Sequence, residues 1–438
     1  MRPRLDNIFT ARHQIKLAWP PAGRRCKQMN KNIIPSGLKP FALLLALALC
    51  PVAVRGIGLR VPNQDAAAIA RGNAFAATAD NPSALYYNPA GITQLPGLEI
   101  QAGVLNYLGI NTHYESPAGT TANSKFEVLP IPQIYCTYSP TNLPLSFGLG
   151  LYAPFGLGVV WPENSGFRSL AIESRLQYLT VNPVIAWKVT PQLSLAVGAT
   201  LNYSKLQLRR GLAAANDTLN FEGSDYAYGF NAGLLWQPHP QWSFGANYRS
   251  ATTMNFKGAT RYDPGIYIPP AQTTARAHFP QIISGGISFR PTPKWNLEAD
   301  VDWSDWRPLR TVTLGGTKNI FGFDLPLQLN WHDSWFYEFG ITRYFEHGWF
   351  ASAGYFYSTE TASEKNFTPA IPDTALHVAC VGLGRQGAHW RWALAAEFIT
   401  GPARSISQSQ ANPFTHESAN GKYQLSIPTV SLSLGRHF

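Results

Sequence analysis

Long apolar runs are missing from this chain. Beyond residue 56 nothing approaches the ~20 consecutive apolar residues that a membrane-spanning helix needs, which argues against a helical membrane protein. Cysteine is scarce. There are four, and Cys26 and Cys50 fall in the first 56 residues. The remaining two, Cys136 and Cys380, lie far apart in strand-like runs. Two cysteines make no disulfide scaffold, so both are read as free thiols. Charge of one sign is missing from the body as well. The formal charge is +10, but ten Lys and Arg precede Ile57 against Asp6 alone, which leaves 25 basic and 24 acidic residues after it. Nucleic-acid binding needs a basic face on the folded domain and is not expected. Ten histidines are scattered, with no HExxH, paired-cysteine ligand set, GxSxG or phosphate-cradling loop. The chain is read as a non-enzyme with no cofactor and no metal.

What is present begins with a leader. Lys27, Lys31 and Lys39 precede an apolar run from Phe41 to Cys50, followed by small residues, which is the layout of a secretory signal. Cleavage after Gly56 fits, with Val54 three back, and Met29 is an alternative start. Leu49 is bulky where a lipidation box needs a small residue, so Cys50 is not read as a lipid anchor. The chain is expected to divide into a leader (1–56), a small N-terminal unit (57–97) and a strand-rich body (98–438).

The body alternates. In 192–204, Leu193, Leu195, Val197, Ala199, Leu201 and Tyr203 oppose Gln192, Ser194, Ala196, Gly198, Thr200, Asn202 and Ser204. Residues two apart share a sheet face, so one face is apolar and the other polar. Trp242, Phe244, Ala246 and Tyr248 do the same against Ser243, Gly245, Asn247 and Arg249. Leu297, Ala299, Val301 and Trp303 face away from Glu298, Asp300, Asp302 and Ser304. Such rows fit a lipid-facing exterior and a wet interior. Asp300, Asp302 and Asp305 raise a metal site as an alternative, with lumenal salt bridges preferred.

Connections carry the count. Short turns fall at 139–144, 190–191, 238–241, 291–294, 346–348 and 386–389. Longer polar or Pro-rich stretches fall near 113–124, 153–172, 210–222, 259–273, 315–330, 362–373 and 403–420. Short and long connections alternate, which predicts fourteen strands with long loops on one side, the outer-membrane pattern. Trp242, Trp295, Trp349 and Trp390 follow short turns at once, where an interfacial aromatic girdle would sit. A β-sandwich predicts no such asymmetry, and a propeller would repeat about every 40 residues.

Residues 65–91, DAAAIARGNAFAATADNPSALYYNPAG, break this pattern. Asp65 is placed to cap a helix running through Ala66, Ile69 and Ala70 towards Ala77. Asn81-Pro82 starts a second helix, and Asn88-Pro89-Ala90-Gly91 stops it. The two helices form either a cavity filler or a surface hairpin. The run ARGNAF…ATADNPSALYYNPAG resembles the N-terminal hatch of FadL-type outer-membrane transporters of hydrophobic compounds, including its Asn-Pro-Ala motif. LYAPFGLGVVWPE, YLTVNPVIAWKV and LSLAVGATLNYS in 151–204 are similar to that family's third to fifth strands. The resemblance implies an all-β, fourteen-stranded transmembrane barrel in the bacterial outer membrane, plugged by a helical hatch. It implies a hatch-motif role for Asn88, Pro89, Ala90 and Gly91.

Leu151–Trp161 is expected to leave a strand into an external loop. Phe155, Leu157, Val159, Val160 and Trp161 would expose apolar area there, either for ligand capture or for packing on neighbours. The resemblance makes Phe155, Leu157, Val160 and Trp161 a hydrophobic capture site. It also implies an inward kink in the third strand that opens the wall sideways, to which Gly148, Gly150 and Pro154 would contribute. The final strand ends at Phe438, like the signal read by barrel-assembly machinery, although Arg436 breaks its apolar row. Its phase shifts near Pro428, which predicts a bulge. The implied ligand is a long-chain fatty acid or another hydrophobic small molecule, with aromatic hydrocarbons as the alternative. A carboxylate would want one of Arg168, Arg175, Lys205, Arg249 or Arg343. The bilayer and lipopolysaccharide are the expected surroundings, and a monomer is the expected state. A general porin and a barrel enzyme are the competing readings.

Overall fold

Period-two alternation builds a single antiparallel sheet that closes on itself. The computed structural model describes residues 59–108, 111–212, 216–263, 269–318 and 322–438. The expected signal, its cleavage after Gly56 and the Met29 start lie outside the described residues. Fourteen strands follow in chain order. They are β1 (Gly97–Leu108, then Asn111–Glu115), β2 (Thr121–Asn123, Val128–Ser139), β3 (Leu145–Tyr152, Gly156–Val160) and β4 (Glu173–Lys188). Next come β5 (Leu193–Gly211), β6 (Thr218–His239), β7 (Trp242–Arg249, Thr252–Asp263), β8 (Ala271–Phe279, Ile282–Thr292) and β9 (Trp295–Ser304, Thr311–Gly315). The last are β10 (Leu325–Gln328, Ser334–Tyr344), β11 (Trp349–Ser358), β12 (Leu376–Gln386), β13 (Trp390–Thr400, Arg404–Ile406) and β14 (Gly421–His437). Each pairs with the next, and β14 returns to β1 with Glu99 opposite His437 and Tyr107 opposite Thr429. Closure leaves an edge only where β3 parts from β2, and elsewhere backbone amides in lipid are paired around the barrel. The six short turns and seven long connections fall where the sequence places them.

Side-chain facing follows the alternation. Leu195, Val197 and Leu201 are exposed on the outer wall, while Ser194, Thr200, Asn202 and Ser204 are buried inside. Arg343, Arg385 and Arg436 lie over the rings of Trp295, Trp349 and Trp390 at 5.0, 5.9 and 5.2 Å. These pairs sit beside the short turns, where a cationic head and an aromatic face suit the membrane–water boundary. Arg436 also lies over the Phe438 ring at 4.7 Å, which accommodates a charge in the outward row of β14.

The bulge expected at Pro428 is not there. β14 runs unbroken against β13, with Pro428 opposite Phe398. Its odd-numbered residues face inward throughout. Tyr423, Leu425 and Ile427 are buried, and so are Thr429, Ser431 and Ser433. The chemistry of the inward face changes with depth, apolar in the outer half and polar in the inner half. At Pro428 the environment of the inward face changes and the backbone register does not.

The polar inner half surrounds residues 59–96. Helix α1 (Ala66–Ile69) starts at Asp65, whose side chain accepts from the Ala68 amide. It stops there and does not run to Ala77 as expected. Gly72 and Asn73 adopt left-handed backbone (φ 68° and 64°), which ends the helix. Asn81 Oδ1 accepts from the Ser83 amide and hydroxyl, at 2.8 and 2.6 Å, ahead of α2 (Ala84–Tyr87). A 3-10 turn (Pro89–Gln94) then leads into β1. Nearly all of this segment is buried, so the surface-hairpin alternative fails.

Candidate functional site

The hatch segment is seated by inward polar side chains of the wall. One carboxylate oxygen of Asp300 on β9 accepts from the amides of Phe75 and Ala76, both at 2.7 Å. Glu298 accepts from the amides of Ala77 and Thr78 at 2.8 and 2.9 Å, and also from the Thr78 hydroxyl. Asp302 forms an ion pair with Arg60. The acid row that reads as lining a wet interior therefore binds the hatch backbone. Charge-assisted bonds of this kind are about twice as strong as neutral ones. Asp305 lies apart and pairs with Arg307.

The Asn-Pro-Ala motif faces the other wall. Asn88 closes α2 and opens the 3-10 turn, its Oδ1 accepting from the Ala90 amide at 3.2 Å. Its Nδ2 donates to the carbonyl of Ala76 at 2.7 Å and to that of Leu234 on β6 at 2.9 Å. Pro89 takes the first position of the turn, where a missing N–H costs nothing. A Cβ at Gly91 would collide with Ala79, so the chain can fold back on itself only with glycine there.

The wall is interrupted between β2 and β3. Their ladder runs from Tyr138–Phe147 to Ile134–Leu151 and stops. β3 breaks at 153–155 and resumes at Gly156–Val160, which pairs with β4 but not with β2. The hatch occupies the break. Val61 donates to the Pro154 carbonyl and Gly156 to that of Leu59, both at 2.8 Å, while the Gln64 side chain bonds the Ala153 carbonyl at 2.9 Å. Pro154 lies in the break. Gly148 and Gly150 lie before it in regular ladder, paired with Thr137 and Tyr135. They do not make the kink. Gly148 instead leaves room for the hatch side chain Leu85, and Gly150 for the ring of Tyr152.

The expected external apolar loop is not one. Phe155, Leu157 and Trp161 are only 2–3% exposed, and Val160 is partly covered. Phe155 packs on Tyr178, Phe279 and Trp306 at ring-centroid distances of 5.1, 5.1 and 5.9 Å. The Trp161 indole donates to the Pro369 carbonyl at 2.9 Å. Because β3 bends into the lumen, both of its faces meet protein. Phe155, Leu157 and Trp161 join Leu176, Phe221, Met254, Phe256, Leu314, Trp331 and Tyr423 in one apolar core that fills the outer half of the barrel.

Above that core lies a cavity of about 830 Å³. Leu170, Leu212, Phe323, Leu325, Leu327, Phe367 and Phe414 line it, drawn from five of the long outer connections and the strand ends beside them. Phe323 and Phe414 stack at its rim, 6.0 Å apart and 11° from parallel. β5 and β6 carry 19 and 22 residues, far more than the ~9–11 that cross a bilayer, and the overhang of β5 forms part of its wall through Arg210 and Gly211. Among the described residues the lining has no Asp or Glu and includes Arg210 and Lys365. None of these positions stands out in the sequence, because each loop contributes only a few. The five basic residues singled out there are otherwise engaged. Arg168 pairs with Glu163, Arg175 with Glu127 and Glu173, and Lys205 with Glu222. Arg249 donates to the Tyr152 hydroxyl at 2.8 Å, and Arg343 lies on the outer wall.

A family model described as outer membrane protein transport protein (OMPP1/FadL/TodX) matches residues 48–393. A putative outer membrane protein of Neisseria meningitidis is 28% identical over 325 residues, covering 62% of this chain and 68% of that protein. The long-chain fatty acid transport protein of Escherichia coli K12 is 20% identical over 388 residues, covering 76% of this chain and 85% of that protein. Among solved structures, a Pseudomonas aeruginosa FadL homologue superposes with a TM-score of 0.77 at 18% identity, over 87% of this chain and all of that one. The Ralstonia pickettii toluene transporter TbuX gives 0.67 at 18% identity, over 85% and 98%. At such identities the solved structures speak for the fold. The family match spans well over half of the chain, and with a closed barrel around a seated N-terminal segment it places the protein: the chain belongs to the OMPP1/FadL/TodX family of bacterial outer-membrane transport proteins, and it is a transporter of hydrophobic molecules, not an enzyme.

Proposed function

We propose that the protein takes up long-chain fatty acids passively, by capture at the outer face, binding within the barrel and sideways release controlled by the hatch. The observation that carries the choice of ligand is the size of the outer cavity. A cavity of ~150 Å³ already holds a benzene ring, whereas this one is about 830 Å³, with aliphatic and aromatic side chains interspersed with polar ones in its lining. A single aromatic molecule would leave most of it empty. A long flexible chain can fill it, at about 0.8 kcal/mol per buried methylene. The curated relatives that are long-chain fatty acid transport proteins point the same way.

The chain passes from the cavity into the apolar outer lumen, reaches the hatch, and leaves where β2 and β3 are unpaired above Ile134 and Leu151. A small movement of the hatch about Asn88–Gly91 would vacate the break at 153–155. Phe155, Leu157, Val160 and Trp161 would then line the path as inner wall, and Pro154 would hold the strand open. No energy source is needed, because transfer between two apolar environments is downhill along a concentration gradient. A general porin requires a water-filled lumen, and the buried hatch weighs against that reading. We further propose that the β14 strand ending at Phe438 is read by the barrel-assembly machinery and that the protein acts as a monomer.

The test is uptake of labelled oleate and toluene in cells with and without the gene. It is joined to mass spectrometry of lipids that co-purify from outer membranes. Gene-dependent oleate uptake with bound fatty acid is expected. Gene-dependent toluene uptake alone would move the protein to the aromatic branch, and passage of small hydrophilic solutes would favour the porin.

A further inference from the structure

We propose that the outer wall holds one anionic phospholipid of the inner leaflet in a fixed place, with an acyl chain in a groove across β8 to β11 and the phosphate on Arg343. The site lies on a face that the transport route does not use, and it is independent of which ligand the barrel carries.

The groove follows from side-chain size. Two neighbouring outward rows run Ile287, Ala299, Phe339, Tyr355 and Phe289, Leu297, Ile341, Ala353 across the four strands. Ala299 and Ala353 are small where the outward residues beside them are large, and only Gly340 and Gly354 lie between the rows on β10 and β11. The result is a hollow of about 570 Å³ that opens to the lipid. Trp242, stacked on Phe289 at 4.4 Å, bounds it on the β7 side. By the measure of ~150 Å³ for a benzene ring, the hollow takes roughly twenty carbons, the size of one acyl chain.

An apolar hollow alone selects nothing here, because the surrounding lipid is as apolar as any chain that fills it. The head end supplies the choice. Arg343 is the next outward residue of β10 after Ile341, about 7 Å further toward the short turn. Short turns lie on the periplasmic side, so Arg343 stands at the level of the inner-leaflet phosphates. Among the described residues its guanidinium has neither an ion pair nor a hydrogen bond, and it lies over the rings of Trp295 and Phe345 at 5.0 and 5.3 Å. Ring contacts do not use up its N–H donors, and the planar fork matches two oxygens of a phosphate. The turns on either side, 291–294 and 345–348, add the exposed Lys294 and His347 and one acid, Glu346. That balance favours a head group of net negative charge, phosphatidylglycerol, over zwitterionic phosphatidylethanolamine, by about fivefold per basic residue.

The experiment is native mass spectrometry of the full-length protein released from nanodiscs of phosphatidylglycerol and phosphatidylethanolamine in equal parts. Wild type is expected to retain a single phosphatidylglycerol after the other lipids are stripped. Arg343→Gln is expected to lower the preference for phosphatidylglycerol about fivefold. Ala299→Leu and Ala353→Leu fill the groove from the lipid side and are expected to lose the bound lipid of either kind. Heat-modifiable mobility on gels reports whether each barrel is folded, and the second groove variant covers failure of the first. Arg436→Gln removes a rim arginine that also lies over a tryptophan, on β14 and away from the groove, and should keep the lipid. Equal loss in Arg343→Gln and Arg436→Gln would mean a general attraction of the rim. Retention in both groove variants would place the lipid elsewhere, and a lipid-free species of twice the mass would mean that a second copy covers this wall. Each of these results overturns the proposal, as does wild type that retains no lipid or shows no preference. Oleate uptake is measured separately, so failure here leaves the transport reading untouched.

Discussion

The side-chain amide of Asn88 donates to the main-chain carbonyl of Leu234 at 2.9 Å and to that of Ala76 at 2.7 Å. One residue thereby ties two parts of the hatch to each other and to the sixth strand. Asn88→Ala removes both bonds, together with the contact from the Ala90 amide to Oδ1, and leaves the Ala76 and Leu234 carbonyls without that donor, at about 1–3 kcal/mol for the buried one. The barrel ladder is untouched, so the variant is expected to assemble with normal gel mobility. Its hatch should open more often, which makes Arg71, now 4% exposed, accessible to trypsin. Unchanged trypsin resistance would show that the two bonds are not what holds the turn.

Glu298 and Asp300 together accept four hatch amides. Replacing both with Ala strands those four N–H groups, whereas Glu298→Gln keeps an acceptor. The double variant is expected to conduct ions in planar bilayers and to sensitise cells to large hydrophilic antibiotics. Glu298→Gln should stay close to wild type. Equal conductance of wild type and double variant would mean that the hatch is held by packing alone.

Gly148 faces the hatch, and any Cβ there meets the Leu85 side chain. Gly148→Val is expected to reduce oleate uptake severalfold while the barrel still assembles. Leu85→Ala in the same chain should restore much of it, because the collision is between those two side chains and coupled neighbours are non-additive. Absence of rescue would place the effect in the backbone of β3.

The two described cysteines report on opposite faces. Cys136 is partly exposed on the outer wall, and Cys380 is buried inside, with its thiol 3.8 Å from Glu397. In outer membranes a lipid-soluble maleimide is expected to label Cys136, and no maleimide to label Cys380. In the Glu298→Ala, Asp300→Ala variant, Cys380 should become reactive to water-soluble reagents, because α1 no longer covers it. Labelling of Cys380 in wild type would mean that the hatch leaves its seat without help.

Strand number, sidedness and outer-wall chemistry were legible in the sequence for a local reason. Lipid contacts every outward residue of a strand, so rows such as Leu195, Val197 and Leu201 record their surroundings with a strict period of two. Turns are local as well, and short ones followed by tryptophan mark the inner rim. The Asn88–Gly91 turn could likewise be located, since a residue before proline and a glycine constrain their own backbone. What those residues bond could not be seen. Leu234 is 146 positions from Asn88, and Glu298 is 220 from Thr78.

The inward face was legible only in part, because its surroundings are other parts of the chain. In β14 the change from Leu425 and Ile427 to Thr429 and Ser431 resembled a slipped phase, and in 155–161 apolar residues resembled an exposed loop. Both readings assumed one interior of uniform polarity. Closure of the barrel decided otherwise. It set the hatch against the inner half, turned β3 inward so that Phe155 and Trp161 are covered on both sides, and gathered five outer connections around one cavity with Arg210 beside it. Sequence alone determined which residues face lipid, since that neighbour is the same everywhere along a strand. Tertiary structure decided what faces the lumen, since each of those neighbours arrives from far along the chain.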